Sequence, residues 1–329
     1  MNNKELVLYA LEKNRGKFIS GEYLAGLAGI SRMAVCKIIS NLKTQGHRIS
    51  AQNGKGYIMD LKSDVLSEKG ITSNLKPDTK IKRVVCLDEV NSTNTYAKKI
   101  ALDENAPHGT LITANKQTAG KGRRGHSFES PPGTGLYMTL ILRPNFDNTG
   151  KFQMITIAAA VAVCFAVEDL TGLKPKIKWV NDVYLGDKKI CGILTEAVSN
   201  FENGEIESVV TGIGVNISTK KFDDAQNAGS IFESAGNKKI KPFGRDELAA
   251  KIADYLIDFA DDLENPNLIK AYRHRSFLLG QKIKYIRGDV EYHAKAISID
   301  DSGGLVVIDD DCNKEILRSG EVFLIRPEN

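Results

Sequence analysis

Apolar spacing divides the chain into stretches of different period. Over residues 5–13, Leu6, Val7, Tyr9, Ala10 and Leu11 recur at helical spacing until Asn14 and Gly16 stop them. Ser20 precedes a second short helix over 22–28, which Gly29 ends. Ser31 precedes a third, with Val35, Ile38, Ile39 and Leu42 facing inward and Arg32, Lys37 and Lys43 outward. Residues 47–51 and 57–59 read as two short strands around the tip Gln52-Asn53-Gly54-Lys55-Gly56. Helix, tight turn, basic helix and hairpin, in that order, predict a winged helix-turn-helix over residues 1–62.

Residues 63–80 are polar, carry Pro77 and hold no sustained period, so they read as a linker. From residue 81 the pattern turns mixed. Strands are predicted at 84–87, 111–114, 136–142, 176–179, 190–197 and 207–214, with helices at 95–102, 155–170 and 245–262. Strands outnumber helices and often adjoin, which predicts a mixed sheet with helices packed on it over residues 81–276. Short alternating segments at 282–286, 291–299, 305–308, 314–317 and 322–325, separated by turns such as Arg287-Gly288-Asp289, predict a small β-barrel over residues 277–329. The fold class is α+β.

Charge sharpens the first segment. Residues 1–62 hold ten Lys or Arg against four Asp or Glu, net +6, leaving 35 against 37, net −2, for the rest. A basic domain of this shape meets a polyanion or is a solvated protein-interaction domain; the cationic wing favours DNA. Ser31, Arg32 and Lys37 on the third helix and Lys55 on the wing are the candidate contacts. The most apolar run, 157–167, is too short to span a bilayer, and residues 1–5 lack the apolar core of a signal peptide. Five scattered cysteines suggest reduced thiols. A cytoplasmic protein without a membrane partner is expected.

The chemistry concentrates in Thr118-Ala119-Gly120-Lys121-Gly122-Arg123-Arg124-Gly125. Three glycines let backbone amides turn toward a ligand while three cations gather beside them, which suits phosphate. A dinucleotide fold would open a helix at the third glycine, but Pro131, Pro132 and Gly133 forbid one soon after. A protein kinase would need His-Arg-Asp and Asp-Phe-Gly, and the sequence has neither. A solvated basic turn is the plain alternative.

This loop is one of five segments whose order and spacing resemble the biotin protein ligases: Asn91-Ser92-Thr93-Asn94, residues 117–125, Lys178-Trp179-Val180-Asn181-Asp182, Cys191-Gly192-Ile193-Leu194-Thr195-Glu196, and Gly212-Ile213-Gly214-Val215-Asn216. With the Gly54-Lys55-Gly56-Tyr57 wing, the whole chain resembles the bifunctional form that also represses biotin genes. The resemblance implies a catalytic domain like those of class II synthetases, an SH3-like terminal barrel, and ATP, biotin and Mg2+ as ligands. It implies formation of biotinyl-AMP and transfer of biotin to a lysine of a biotin carboxyl carrier protein. It further implies operator DNA as partner and a homodimer when the adenylate is bound.

Residue by residue, Lys178 and Arg123 are implied as catalytic. Ser92, Thr93, Asn94, Gln117, Lys121, Gly122, Arg123, Lys178 and Gly192 would hold biotin. Gly120, Arg123, Arg124, Asn181 and Asn216 would hold ATP, with Asp182 toward Mg2+. The family often has Arg at 121, Trp at 128 and Pro at 180, where this chain has Lys121, Phe128 and Val180. A strand-end lysine is the plain alternative for Lys178, and helix capping for Ser92 and Thr93. A ligand sensor without catalysis and a ligase for a related acid such as lipoate are the competing functions.

Overall fold

The computed structural model describes residues 1–143, 151–199, 206–222, 227–287 and 290–325. Helices α1 (Asn3–Lys13), α2 (Gly21–Ala28) and α3 (Arg32–Thr44) close on Val7, Leu11, Leu24, Val35 and Leu42, each at most 1% exposed. Asn2, Ser20 and Ser31 cap the three helices by accepting from backbone amides one turn in. Gly29, at φ +63°, ends α2, and α3 leaves at 98° to it, the turn of a helix-turn-helix. Strands β1 (Ile49–Gln52) and β2 (Gly56–Met59) form the wing. Gly56 is required there twice over, by φ +98° and because a Cβ would lie 2.1 Å from the Ile19 carbonyl oxygen.

Within 63–80 the linker reading is corrected. Helix α4 (Glu68–Asn74) forms, capped by Ser67, and packs between α1 and the central domain with Ile71 fully buried. Seven residues give one turn of apolar signal, too little to register as a period.

The central domain is a seven-stranded sheet built from β3 (Arg83–Val90), β4 (Thr110–Gln117), β5 (Gly135–Leu142), β6 (Lys176–Lys178), β7 (Asp182–Leu185), β8 (Lys188–Ser199) and β9 (Ile206–Asn216). Its order is β3-β4-β5-β9-β8-β7-β6, with β3 and β4 parallel and the other pairs antiparallel. Helix α5 (Thr93–Asp103) packs on one face. Helix α6 (Lys151–Thr171) packs with α8 (Arg245–Asp261) and α9 (Pro266–Arg275) on the other, and α7 (Ile231–Ala235) lies near β7. The helix predicted over 155–170 is thus 21 residues long. Its length and composition would suffice to cross a membrane, yet Ile155, Ile157, Val161 and Val163 are fully buried as core. Helix α9 was not predicted; Asn265 caps it, Pro266 opens it, and Tyr272 is buried beneath.

Strands β10 (Lys282–Arg287), β11 (Val290–Ile299), β12 (Leu305–Ile308), β13 (Lys314–Leu317) and β14 (Glu321–Leu324) form an antiparallel sheet ordered β13-β12-β11-β10-β14. Five strands occur as expected, but among the described residues the edge strands β13 and β14 do not pair, so hydrogen-bonded closure of a barrel is not observed. The predicted turn at Gly288-Asp289 and residues 326–329 lie outside the described residues. The sheet is fastened to the central domain where Trp179 Nε1 and Gln153 Nε2 both donate to the Gly303 carbonyl, at 2.9 and 2.6 Å.

The winged domain is joined to the central domain by buried ions. Arg15, just beyond the end of α1, donates to Glu12 Oε2 (2.5 Å), the Ser63 carbonyl (2.5 Å) and Asp246 Oδ2 at the start of α8 (2.7 Å). Arg245 donates in turn to Asp64 Oδ2 (3.0 Å) and Asn115 Oδ1 (2.8 Å). Burial pushes the Glu12 carboxyl up to about 7, with Asp246 adding to the effect, and Asp246 up to about 6. Burial likewise lowers His47 to about 4, aided by Arg15.

Candidate active site

A cavity of about 740 Å³ opens where the N-terminus of α5, the loop after β4, the β6–β7 turn, the paired strands β8 and β9, and β14 converge. That volume is typical of small-ligand sites. Of the residues expected to hold ligand, Ser92, Thr93, Asn94, Gln117, Lys121, Gly122, Arg123, Arg124, Lys178, Asn181, Asp182, Gly192 and Asn216 line it. Gly120 does not. It forms the base of the loop, where a Cβ would lie 2.2 Å from the Phe128 carbonyl oxygen.

The start of α5 supplies neutral polar groups. Ser92 is the N-cap residue but makes no capping bond through its side chain. Gln117 Oε1 accepts from the Thr93 amide (2.8 Å) and hydroxyl (3.1 Å), and Gln117 Nε2 donates to Ser130 Oγ (2.8 Å). These bonds tie the helix end to the base of the glycine loop. The Asn94 amide is committed to the protein itself: Nδ2 donates to the Leu194 carbonyl (3.1 Å) and Glu196 Oε2 (2.8 Å), while Oδ1 accepts from Thr139 (2.7 Å). Gly212 leaves it room, since a Cβ there would lie 2.3 Å from Asn94 Oδ1.

The glycine loop folds back on itself, with Gly122 N donating to the His126 carbonyl (2.7 Å). Arg124 takes the left-handed conformation at φ +52°. Its side chain stands 4.0 Å from Glu321 of β14, whereas Arg123 Nη1 donates to Asn181 Oδ1 inside the cavity (3.0 Å). Asn181 is a hub, since its Nδ2 also donates to the Ile193 carbonyl and to Asp182 Oδ1, both at 3.1 Å. Lys189 Nζ pairs with Asp182 (2.8 Å). Among the described residues, neither Arg123 nor Lys178 has a carboxylate within salt-bridge distance. Burial holds both cations below their usual pKa; Arg124 lowers Arg123 further, and Asp182 partly offsets the shift at Lys178. Asn216, 5% exposed, leaves Oδ1 without a partner among the described residues. A buried acceptor in that state costs about 1–3 kcal/mol unless a ligand satisfies it.

The glycines Gly192 and Gly214 pair across β8 and β9. The group that approaches them is the chain's own Phe128 ring: a Cβ at Gly214 would lie 2.5 Å from its Cε1, and one at Gly192 3.4 Å from its Cε2. Sequence reasoning missed Lys189, Glu321 and Phe323 on the cavity wall. Lys189 belongs to none of the motifs, and only the register of β8 against β7 brings it to Asp182.

On the winged domain, Arg32, Lys37 and Lys55 are exposed, and Lys55 Nζ lies 5.6 Å from the Phe18 ring centroid. The Ser31 hydroxyl accepts from the Ala34 amide (3.2 Å), so it serves the helix start. Met33 on α3 and Tyr23 on α2 are 75% and 58% exposed and carry no charge signal that could have singled them out.

The pattern of the Biotin/lipoate A/B protein ligase family matches residues 86–216, and that of an HTH domain matches residues 3–58. The bifunctional ligase/repressor BirA of Bacillus subtilis strain 168 is 38% identical over 226 residues, 68% of this chain and 68% of that protein. The protein of the same description from Escherichia coli K12 is 30% identical over 332 residues, 98% of each chain. The solved structure of biotin protein ligase from Aquifex aeolicus in complex with biotin and ATP matches at a TM-score of 0.60 and 26% identity, covering 74% of this chain and 99% of that one. With a ligase core, an N-terminal HTH domain and a full-length relative carrying both, the chain belongs to the bifunctional biotin ligase/repressor family.

Proposed function

We infer that the chain joins biotin to ATP, passes the biotinyl group to a lysine of a biotin carboxyl carrier protein, and represses transcription from operator DNA. The observation that carries the reading is the pair of half-buried cations, Arg123 and Lys178, facing a ligand-sized cavity with no carboxylate within salt-bridge distance of either among the described residues. Partly desolvated charges without a counterion are costly, so the site suits an anion.

In the first step a biotin carboxylate oxygen attacks the α-phosphorus of ATP. The new P–O bond forms as the bond to the β-phosphate oxygen breaks, and pyrophosphate leaves. Negative charge gathers between carboxylate and phosphate, where Lys178 and Arg123 would stabilise it. In the second step the acceptor lysine, as the free amine, attacks the acyl carbon and AMP leaves, giving an amide and a proton. Ser92, Thr93 and Gln117, with the backbone of Lys121, Gly122 and Gly192, would bind the neutral ring system, and the orphan Asn216 Oδ1 would accept from the adenine amino group. Gly120, away from the wall, would act by shaping the loop, and Asn94 by fixing the start of α5. Arg124 at the rim would meet the phosphates. Mg2+ would enter with ATP, since magnesium is commonly held by one or two carboxylates plus substrate phosphates. Asp182, now paired with Lys189, is the carboxylate on hand, and the described residues contain no cluster of three metal-ligating side chains.

The test is ATP-dependent labelling of a purified carrier domain, with lipoate as competitor. Biotin transfer is expected. Transfer of lipoate instead would change the substrate, and adenylate-dependent DNA binding without any transfer would leave a sensor. Arg32, Lys37 and Lys55 would contact operator phosphates, so affinity in a gel shift should fall steeply with salt. A salt-independent affinity would place the DNA site elsewhere.

A homodimer would present two winged helices to a two-fold operator. If the adenylate orders the glycine loop and that order favours the dimer, linkage requires the dimer to bind adenylate more tightly in return. Sedimentation equilibrium with and without biotinyl-AMP should show tighter association with it, and an unchanged constant would remove the coupling. A cytoplasmic location fits the need for ATP and DNA.

A further inference from the structure

Lys178 Nζ stands 5.1 Å from the centroid of the Phe323 ring, and Lys284 Nζ stands 5.8 Å from the same centroid. Three strands supply this cluster: β6 carries Lys178, β10 carries Lys284, and β14, paired with β10 so that Phe323 lies opposite Lys284, carries the ring. Lys284 has a carboxylate besides, Glu291 at 2.9 Å, whereas Lys178 has none within salt-bridge distance among the described residues. The charged groups around Lys178 are Asp182 on β7, already paired with Lys189 on β8; Glu321 on β14, turned toward Arg124 and His126; and Arg123, which shares the cavity wall.

We propose that Phe323 is a positioning residue for Lys178: its ring holds the ammonium in the cavity by cation–π attraction and makes β14 of the C-terminal sheet a working part of the adenylation site. A carboxylate in that place would also hold the lysine, but it would cancel the charge and repel the anionic substrates. An aromatic face attracts the cation and leaves its full charge for the incoming carboxylate and phosphate. The attraction also favours the charged form, opposing the burial that pulls the Lys178 pKa down. The proposal rests on the reading of Lys178 as the cation of the first step.

The test compares single-turnover adenylate formation by the full-length wild type, Phe323→Leu and Phe323→Tyr, each also combined with Lys178→Met. Phe323→Leu should slow the step about tenfold, the size expected for a partly desolvated cation–π contact. Its alkaline limb should move to lower pH, because loss of the ring lowers the Lys178 pKa. Phe323→Tyr should restore most of the rate and the pH profile. In the Lys178→Met background the Leu substitution should have no further effect. If Phe323→Leu does not fold, Phe323→Met serves as the ringless variant. A ringless variant with the wild-type rate and pH profile would overturn the proposal, as would one that slows Lys178→Met by the same factor. Wild-type adenylation by Lys178→Met alone would remove the underlying reading and the proposal with it, and so separates the two failures.

Discussion

Lys178→Ala is expected to slow formation of biotinyl-AMP by about two to three orders of magnitude, the usual effect of deleting one pre-placed group that meets developing charge. Lys178 ends the three-residue strand β6 on the wall of the cavity, and among the described residues no carboxylate pairs with it there. Bringing a carboxylate against a phosphate concentrates negative charge on reactants that repel each other. A buried cation offsets that repulsion more strongly than an exposed one, because water does not screen it. The same burial means that alanine removes a desolvated charge, so thermal unfolding should stay near wild type. The decisive measurement is the single-turnover rate at saturating biotin and ATP. A wild-type rate with a raised requirement for ATP would make Lys178 a ground-state binder, and an unchanged rate with unchanged binding would end the assignment.

Local pattern made some of this legible before any coordinates. The wing could be read because Gly54, Lys55 and Gly56 sit between two alternating segments, and the observed register, Gln52 opposite Gly56, is what such a tip requires. The glycine loop could be read because its glycines and cations adjoin in sequence. What escaped depends on pairing between distant segments. Asn94 is a polar residue of the right type at the right helix end, yet Leu194 and Glu196 on β8 and Thr139 on β5 decide where its amide points. Lys189 reaches Asp182 only through the irregular β7–β8 register, and Phe323 reaches Lys178 only once the C-terminal sheet has docked. Alternation along β14 tells that Val322 is buried, but not which element its neighbours meet. Helix α4 was invisible for a different reason: its apolar surface is completed by α1 and α8, so seven residues alone carry too little of it.

Arg15→Met should destabilise the full-length protein by about 3–5 kcal/mol, the cost of removing one partner from a buried ionic cluster. Arg15 is 13% exposed and touches both domains, while the carboxylates it serves, Glu12 and Asp246, are at most 1% exposed in their side chains. Methionine fills similar volume, so the loss is electrostatic and not a cavity. The sign of its pH dependence follows from the carboxyls. Both already have pKa values raised above the unfolded range, and without Arg15 they rise further. An acid whose folded pKa is raised stabilises the fold below its unfolded pKa and gives up that stability as pH rises through the folded value. The deficit of Arg15→Met relative to wild type should therefore be small near pH 5 and grow toward pH 8. Neutralising the partners as well, with Glu12→Gln and Asp246→Asn, should recover much of the loss at pH 8, because a cluster removed whole leaves no orphan charge. Denaturant titrations of the single and triple variants at both pH values make the comparison. A triple variant no more stable than Arg15→Met would mean that the junction is held by the packing of α4 against α1 and α8, and that the ions contribute little to fastening the winged domain.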